Sequence, residues 1–205
     1  MAEKREVAAF RRDLLAAKER GTPVRIERDD LDDAYSEGYV VDVSPKLVLL
    51  NQVSDRIHLD GFEVLRLADV SRVVTEWPAR RFVERALELK GQAPKQPAGP
   101  IDLAGMREAV MSANAAYPLI VIDREETWTG ETSVGRIREE VPRGFNLHWI
   151  TPAARWRWDG TPYQWKEVTR LEFGNEYEET LAMVADADGS RPAEHPRDGI
   201  GLDDG

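Results

Sequence analysis

The stretch Ile-Glu-Arg-Asp at residues 26–29 returns 96 positions later as Ile-Asp-Arg-Glu at residues 122–125. Further matches lie downstream of this pair. Gly38 returns as Gly135 after 97 positions, and Gly61 returns as Gly160 after 99 positions. An offset that drifts by single residues is typical of two copies of one module that differ by small loop insertions. The sequence therefore predicts a duplication, with copy 1 over residues 1–90 and copy 2 over residues 101–185.

Each copy has the pattern of a small α+β module. Apolar residues at helical spacing open the copies, from Val7 to Ala17 and from Leu103 to Ala113. Strands with short turns follow, and a fourth strand is expected at residues 56–60 and 155–159, where polar and apolar residues alternate. Asp102 is the expected cap of the helix that opens copy 2. A helix also closes each copy.

The remaining segments lie outside the copies. Residues 91–100 contain three Pro and two Gly, which predicts a linker. Residues 186–205 are rich in Gly, Pro and Asp and have few apolar side chains, which is typical of a disordered acidic tail. The predicted order is module, linker, module and tail.

A glycine-led hairpin carries a resemblance to a known family. The strand Gly38–Val43, the turn at residues 44–46 and the apolar strand that starts at Leu47 resemble the first signature of Sm proteins. Gly135-Arg136-Ile137 with Phe145-Asn146-Leu147 is a looser match in copy 2. The resemblance implies an α+β, mainly β fold: two tandem SH3-like or Sm-like small barrels, each flanked by an N-terminal and a C-terminal helix.

The Sm-like resemblance implies less about function than about the fold. Sm proteins bind RNA partly through a second signature, and neither copy has a matching segment. Sm-like proteins also form rings through open strand edges, so a homo-oligomer is one expectation. Closing helices could cover those edges instead. The resemblance bears on the fold more than on RNA binding.

Composition excludes several classes of protein. The 205 residues include no Cys, which excludes a disulfide framework, a thiolate metal site and a cysteine nucleophile. No apolar run of 18 residues and no signal-peptide pattern is present. We therefore expect a cytoplasmic protein with no membrane partner. The net charge of −10 works against binding to nucleic acid through counterion release.

Tryptophan is concentrated in copy 2, which has five of the six in the chain. Trp156, Trp158 and Trp165 align with apolar positions of copy 1, so we interpret them as core residues. Trp128 lies in an acidic loop between two Thr and has no apolar counterpart. Of the aromatic residues, Trp128 is the one expected to be exposed and to contact a protein partner.

Basic side chains on the expected fourth strands give an alternative. Arg56 and His58 align with Arg155 and Arg157, and all four would lie on outward faces. Such faces could bind a phosphate backbone, which is the basis of an RNA-binding hypothesis. The simpler interpretation, which we favour, is that these residues form the solvent face of half-buried strands.

The sequence contains no recognisable catalytic or metal-binding motif. Its three His residues fall in different structural contexts, and no nucleophile elbow, phosphate loop or zinc-binding pair is present. The acids at residues 29–33 match no calcium loop and are interpreted as a solvated turn. Asp69 with Arg72, and Glu167 with Arg170, are expected to form ion pairs that hold a turn. No metal, cofactor or catalytic residue is predicted.

The leading hypothesis is therefore a non-enzymatic cytoplasmic binding or adaptor protein that contacts another protein. The contact surface is expected in the cleft between the copies or on the Trp-rich face of copy 2. RNA binding is the alternative. A small-ligand or hydrolase domain that uses acids near the junction of the copies is the weaker alternative.

Overall fold

The computed structural model describes residues 2–128, 130–157 and 162–189, and it contains an antiparallel sheet with four α-helices. The elements of the first half are α1 Ala2–Arg20, β1 Pro23–Arg28, β2 Asp32–Val43, β3 Leu47–Val53, β4 Leu59–Arg66, a 3-10 turn Leu67–Asp69, β5 Arg72–Val74 and α2 Arg80–Leu89. The elements of the second half are α3 Met106–Ala116, β6 Ile120–Asp123, β7 Thr132–Val141, β8 Gly144–Ile150, β9 Trp156–Arg157, β10 Tyr163–Gln164, a 3-10 turn Trp165–Glu167, β11 Arg170–Phe173 and α4 Glu176–Ala187.

The two halves have the same strand order. The first half runs β5-β1-β2-β3-β4, and the second runs β11-β6-β7-β8, with β9 and β10 both paired to β8. The second strand of each half has a register shift at the same place, after Val40 and after Ile137. Gly38 and Gly135 lie within these strands, where a Cβ at either would lie within 2.6 Å of a carbonyl oxygen on the next strand.

The α+β class is confirmed, but the two tandem SH3-like or Sm-like small barrels are not confirmed, because the sheet is not closed. In the described residues the strands form one open sheet of 11 strands. The reason is that β11 uses both of its edges, pairing with β6 of its own half and with β4 of the first half. The strand that ends the second half therefore joins the two halves.

The two halves have their cores on opposite faces of this sheet. Side chains alternate between faces along a strand. On β4, Leu65 packs with Leu14 of α1, whereas Val64 packs with Val110 of α3. The larger core, which α3 covers, also includes Phe62 and other residues of β3 and β4. The second half therefore completes its core with side chains of the first.

Two local predictions also need correction. The fourth strand of the first half does not begin at residue 56: residues 55–57 form a turn, with Ile57 at a φ of 54°, and β4 begins at Leu59. Asp102 does not cap α3, because that helix begins at Met106 after Gly105. The carboxylate of Asp102 instead accepts a hydrogen bond from the N–H of Ala104 at 2.9 Å.

The predicted linker contacts the rest of the chain at several points. Residues 91–100 have no regular secondary structure, but they lie against β3, β4 and Tyr117. Of the predicted tail, residues 186 and 187 belong to α4, and residues 190–205 lie outside the described residues. In the part of the chain that the structure describes, no helix is long and apolar enough to cross a membrane.

Substitution of Gly61 tests how closely the two halves approach. Gly61 has a φ of +69°, and a Cβ there would lie 1.7 Å from Oδ1 of Asn175. Gly91 has a similar φ of +67° but open space around it. We expect Gly91→Ala to lower the free energy of unfolding by about 1–2 kcal/mol through backbone strain. Gly61→Ala should cost about 1–3 kcal/mol more, because Asn175 must move.

Urea unfolding of the two variants beside the wild type measures this difference. Equal losses for Gly61→Ala and Gly91→Ala would contradict the close approach of the two halves.

Candidate functional site

The seam, defined as the pairing of residues 62–65 of β4 with residues 170–173 of β11, has one apolar and one charged face. On the apolar face the rings of Phe62 and Phe173 stack with centroids 5.6 Å apart. On the charged face Glu63 lies directly opposite Glu172. Like charges directly opposite each other on paired strands destabilise the pairing when both are ionised. The seam therefore depends on the groups that surround this pair.

Arg170 lies at the centre of the charged face. Its Nε is 3.5 Å from Glu63 and 3.9 Å from Asp123, and its Nη1 is 3.8 Å from Glu172. Its Nη2 donates a hydrogen bond to Glu125. One guanidinium thus contacts carboxylates of both halves of the chain. Ser36 adds an O–H donated to Glu63 at 2.9 Å.

Arg28 and Glu125 form a buried, bidentate charged contact between the halves. Both terminal nitrogens of Arg28 donate to the carboxylate of Glu125, each at 2.7 Å. The Arg28 side chain is only 2% exposed. A bidentate pair of this kind is strong and directional, and its buried members depend on each other. The IERD and IDRE stretches that reveal the repeat thus contact each other directly.

The surroundings shift the pKa values of these acids in opposite directions. Burial raises the pKa of Glu63, which the charge of Arg170 offsets only in part. Burial, followed by repulsion from Glu63 and Asp123, raises the pKa of Glu172 to about 8. Burial also acts on Glu125, but hydrogen bonds from Arg28 and Thr169 and the nearby positive charges bring its pKa below the usual value. The cluster thus combines an ionised Glu125 with acids that favour the protonated form.

A groove of about 1070 Å³ lies at the start of β4, beside residues 59–62. We define the groove by its three walls: the β3–β4 turn, residues 92–98 of the linker, and the first turns of α4. Phe62 and Tyr117 provide apolar surface inside it. Both halves of the chain therefore build the groove, and its width depends on the seam.

Hydrogen bonds fix the linker wall of the groove. The side-chain oxygen of Gln92 accepts the N–H of Leu59 at 2.8 Å, and its nitrogen lies 3.0 Å from His58. The N–H of Lys95 donates to Asn51 at 3.0 Å, and the N–H of Ala98 donates to the hydroxyl of Tyr117 at 2.9 Å. Because these bonds use backbone N–H groups, the wall is held along its length.

The helical wall is fixed by the first half. Asp60 on β4 accepts the N–H of Glu176 at 2.8 Å and so satisfies one free donor at the start of α4. Tyr177 lines the groove and is 54% exposed. Glu178 is buried beside Asp60, and burial raises its pKa to about 7. The wall presents an exposed aromatic ring, and behind it lies a carboxyl group that titrates near neutral pH.

The structure places the four predicted basic residues in two separate regions, the β3–β4 turn and the segment that leads into β9. Arg56 and His58 are exposed and line the groove, but Arg155 and Arg157 are not among its lining residues. Ile57 and Ala154 occupy equivalent turns, with φ of 54° and 55°. His58 therefore corresponds to Arg155, and the sequence alignment of these residues was shifted by two positions. Arg157 lies on β9 and is exposed.

Trp128 is exposed at the opposite end of the seam from the groove. Its ring is 47% exposed, and the guanidinium of Arg124 lies 5.5 Å from the ring centre. Glu126, two residues away, pairs with Arg66 at the end of β4. The sequence predicts three other Trp residues to be in the core. Trp156 is partly buried and packs against α4, and Trp165 packs on Phe145. Trp158 lies outside the described residues.

The expected ion pairs around the 3-10 turns have different partners. Asp69 pairs with Arg66 instead of Arg72, and Arg72 lies 3.6 Å from Glu27. Glu167 lies 3.8 Å from Arg124. The reason is that β5 and β11 direct Arg72 and Arg170 toward the acids of the neighbouring strands β1 and β6.

Sequence reasoning missed Glu63, Glu125 and Glu172, which form the acidic part of the seam. Glu172 alternates with apolar Leu171 and Phe173, which is the usual pattern of a solvent face. Only the pairing of β11 with β4 buries it. Among the described residues, no group of three acidic or histidine side chains is arranged to hold a metal ion.

The chain matches no family model, no curated protein and no solved structure. Its function must therefore be argued from the groove and the seam themselves.

Replacing Arg28 tests the energetic role of the charged face. We expect Arg28→Met to lower the free energy of unfolding by about 3–5 kcal/mol, because it removes a buried partner of Glu125. The matched control is Arg12→Met, since the Arg12 side chain is 75% exposed and bonds only to its neighbour Asp13 among the described residues. Chemical unfolding at pH 7 compares the two, and equal stability of both variants would contradict the assignment.

Proposed function

We propose that this protein is a non-enzymatic binding or adaptor protein whose partner is another protein, held in the groove between the two halves. The observation that carries the proposal is the groove itself, about 1070 Å³ in volume and built jointly by β4, the linker and α4. A recess of this size accommodates several side chains of a partner segment.

The chemistry of the walls supports a protein partner. Tyr177 offers an exposed aromatic ring, and Arg56 offers a guanidinium that makes no ion pair or hydrogen bond with any described residue. Tyrosine and arginine are enriched at the energetic centres of protein interfaces. Gln96 adds an amide to the rim, and Asp55 and Glu179 add two carboxylates. Mixed polar and apolar walls of this kind are typical of protein interfaces.

Trp128 is a second proposed contact for a protein partner. It lies beyond the far end of β4, so a partner that reached both Trp128 and the groove would extend along the seam. Its ring is about half exposed, and the guanidinium of Arg124 lies against it from one side.

The alternatives have less support from the geometry. Acidic Asp55, Asp60 and Glu176 surround Arg56 and His58 in the groove, which weakens any electrostatic attraction of RNA. The paired acids Glu63 and Glu172 are not among the groove-lining residues, so a substrate in the groove would not reach them. RNA binding and acid-based hydrolysis therefore stay predictions from the sequence alone.

A photo-crosslinking residue at position 177 of the full chain tests the proposal. Phe82 on α2 is the matched control position, because it is an aromatic residue that is 64% exposed and lies outside the groove. In extract of the source cells we expect a discrete protein adduct from position 177 and none from position 82. Arg56→Ala and Trp128→Ala should each weaken that adduct without changing the urea midpoint.

Equal labelling from the two positions, or no adduct from position 177, would contradict the proposal. An adduct that ribonuclease removes, together with salt-sensitive RNA binding that is lost in Arg155→Ala and Arg157→Ala, would replace it with the RNA hypothesis.

A further inference from the structure

We propose that Glu63 and Glu172 share a proton at neutral pH, and that loss of this proton loosens the seam and shifts the α4 wall of the groove. The inference concerns regulation of the groove and rests on the proposed function for its biological meaning. The proton itself is a property of the seam and can be measured without any partner.

The first argument is geometric. Glu63 and Glu172 are directly opposite each other in the register of β4 and β11. Glu63 is fully buried, and Glu172 is mostly buried. Two carboxylates in this position cannot both be ionised without strong repulsion, and a shared proton removes that repulsion.

The second argument is the charge balance around the pair. Four acids lie together on this face, Glu63, Asp123, Glu125 and Glu172, and among the described residues the cations shown in contact with them are Arg28 and Arg170. With all four acids ionised the group has a net charge of −2. Arg28 donates two hydrogen bonds to Glu125, whereas Arg170 lies 3.5–3.9 Å from Glu63, Asp123 and Glu172. A retained proton reduces this excess of negative charge.

The other groups that face the pair come from every neighbouring strand. They are Arg28 on β1, Ser36 on β2, Gln52 on β3, Asp123 on β6, Arg170 on β11 and Asn175 after β11. Of these groups Asp123 is an acid, and burial also raises its pKa. Glu125 lies on the same face, where despite burial its bonds to Arg28 hold its pKa below the usual value. None is a histidine, so titration of the seam between pH 5 and 9 comes from its carboxyl groups.

A chain of contacts connects the pair to the groove. The amide of Asn175 donates to the carboxylate of Glu172 at 3.2 Å. Asn175 packs so closely on Gly61 that a Cβ there would overlap it. Gly61 and Glu176 both line the groove. Ionisation of Glu172 beside an ionised Glu63 would therefore act on Asn175, which precedes α4 and packs against Gly61 of β4.

The direction of the pH effect follows from linkage. In the folded chain the pKa of Glu172 is about 8, above the ordinary value of 4.5. Unfolding between these two pH values therefore releases a proton, and stability falls as pH rises. One released proton raises the unfolding equilibrium constant by up to about tenfold per pH unit in this range, and the effect levels off above pH 8.

Urea unfolding of the full chain from pH 5 to pH 9 measures this slope. Glu172→Gln keeps the shape and hydrogen-bonding capacity of a protonated acid, so we expect it to remove the contribution of one proton and to flatten the slope by up to about tenfold per pH unit. Glu19→Gln is the control, because Glu19 is exposed on α1. Glu178 contributes its own pH dependence to all three proteins, so the comparison is between slopes.

The same slope in Glu172→Gln as in the wild type would overturn the proposal. If Glu172→Gln does not fold, Glu63→Gln tests the same proton from the other strand. In addition, calorimetry of the wild type in buffers of different ionisation enthalpy counts the protons released on unfolding. A count of zero at pH 7 would equally overturn it.

Spin labels test the coupling to the groove. The chain has no Cys, so Asp55→Cys with Thr180→Cys places two labels on facing walls. We expect the distance distribution to broaden from pH 6 to pH 9, and to broaden less when Glu172→Gln is added, because Glu178 on α4 still titrates. Broadening of the same extent with Glu172→Gln, or none in its absence, would contradict the coupling. A positive result would stand even if no protein partner bound the groove.

Discussion

The pairing of β4 with β11 is the interaction on which the rest of the structure depends. It joins two halves with the same strand order into one sheet, and it places the core of each half on the opposite face. The second half completes its core with Phe62 and Val64 from the first half. The same pairing buries charged groups on its other face, because Glu63 and Glu172 alternate with those apolar residues. Stability of the seam therefore requires the salt bridges of Arg28 and Arg170.

The repeat made much of this fold predictable. The helices, the glycine-led hairpins and the order of elements follow from matched positions, because local periodicity and glycine placement carry that information. The turn before β4 was misplaced because Arg56-Ile57-His58-Leu59 alternates like a strand, although Ile57 adopts a positive φ. The choice of β11 as the partner of β4 could not be predicted, since strand edges of both halves offer the same backbone donors and acceptors. Without that pairing, Glu63, Glu125 and Glu172 looked like surface residues.

The groove exists only because the halves are joined in this way. Its walls come from β4, the linker and α4, so no single half contains it. The sequence indicated Arg56 and His58 as candidate RNA-binding residues, and in the structure they line the groove.

The two outer edges of the sheet differ from the seam. Strand β5 has three residues and β10 has two, and Pro162 beside β10 has no N–H to donate. Short edges of this kind discourage pairing with another chain.

Native-state hydrogen exchange of the full chain tests most directly whether the seam makes one folding unit of two copies. If it does, the amides of β3 and β4 and those of β6 and β11 exchange through openings of the same free energy, equal to that of global unfolding. If the copies were independent, the amides of β6 and β8 would open at a lower free energy while β1–β3 stayed protected. That result would contradict the account, because it would mean that β4 and β11 separate before either core unfolds.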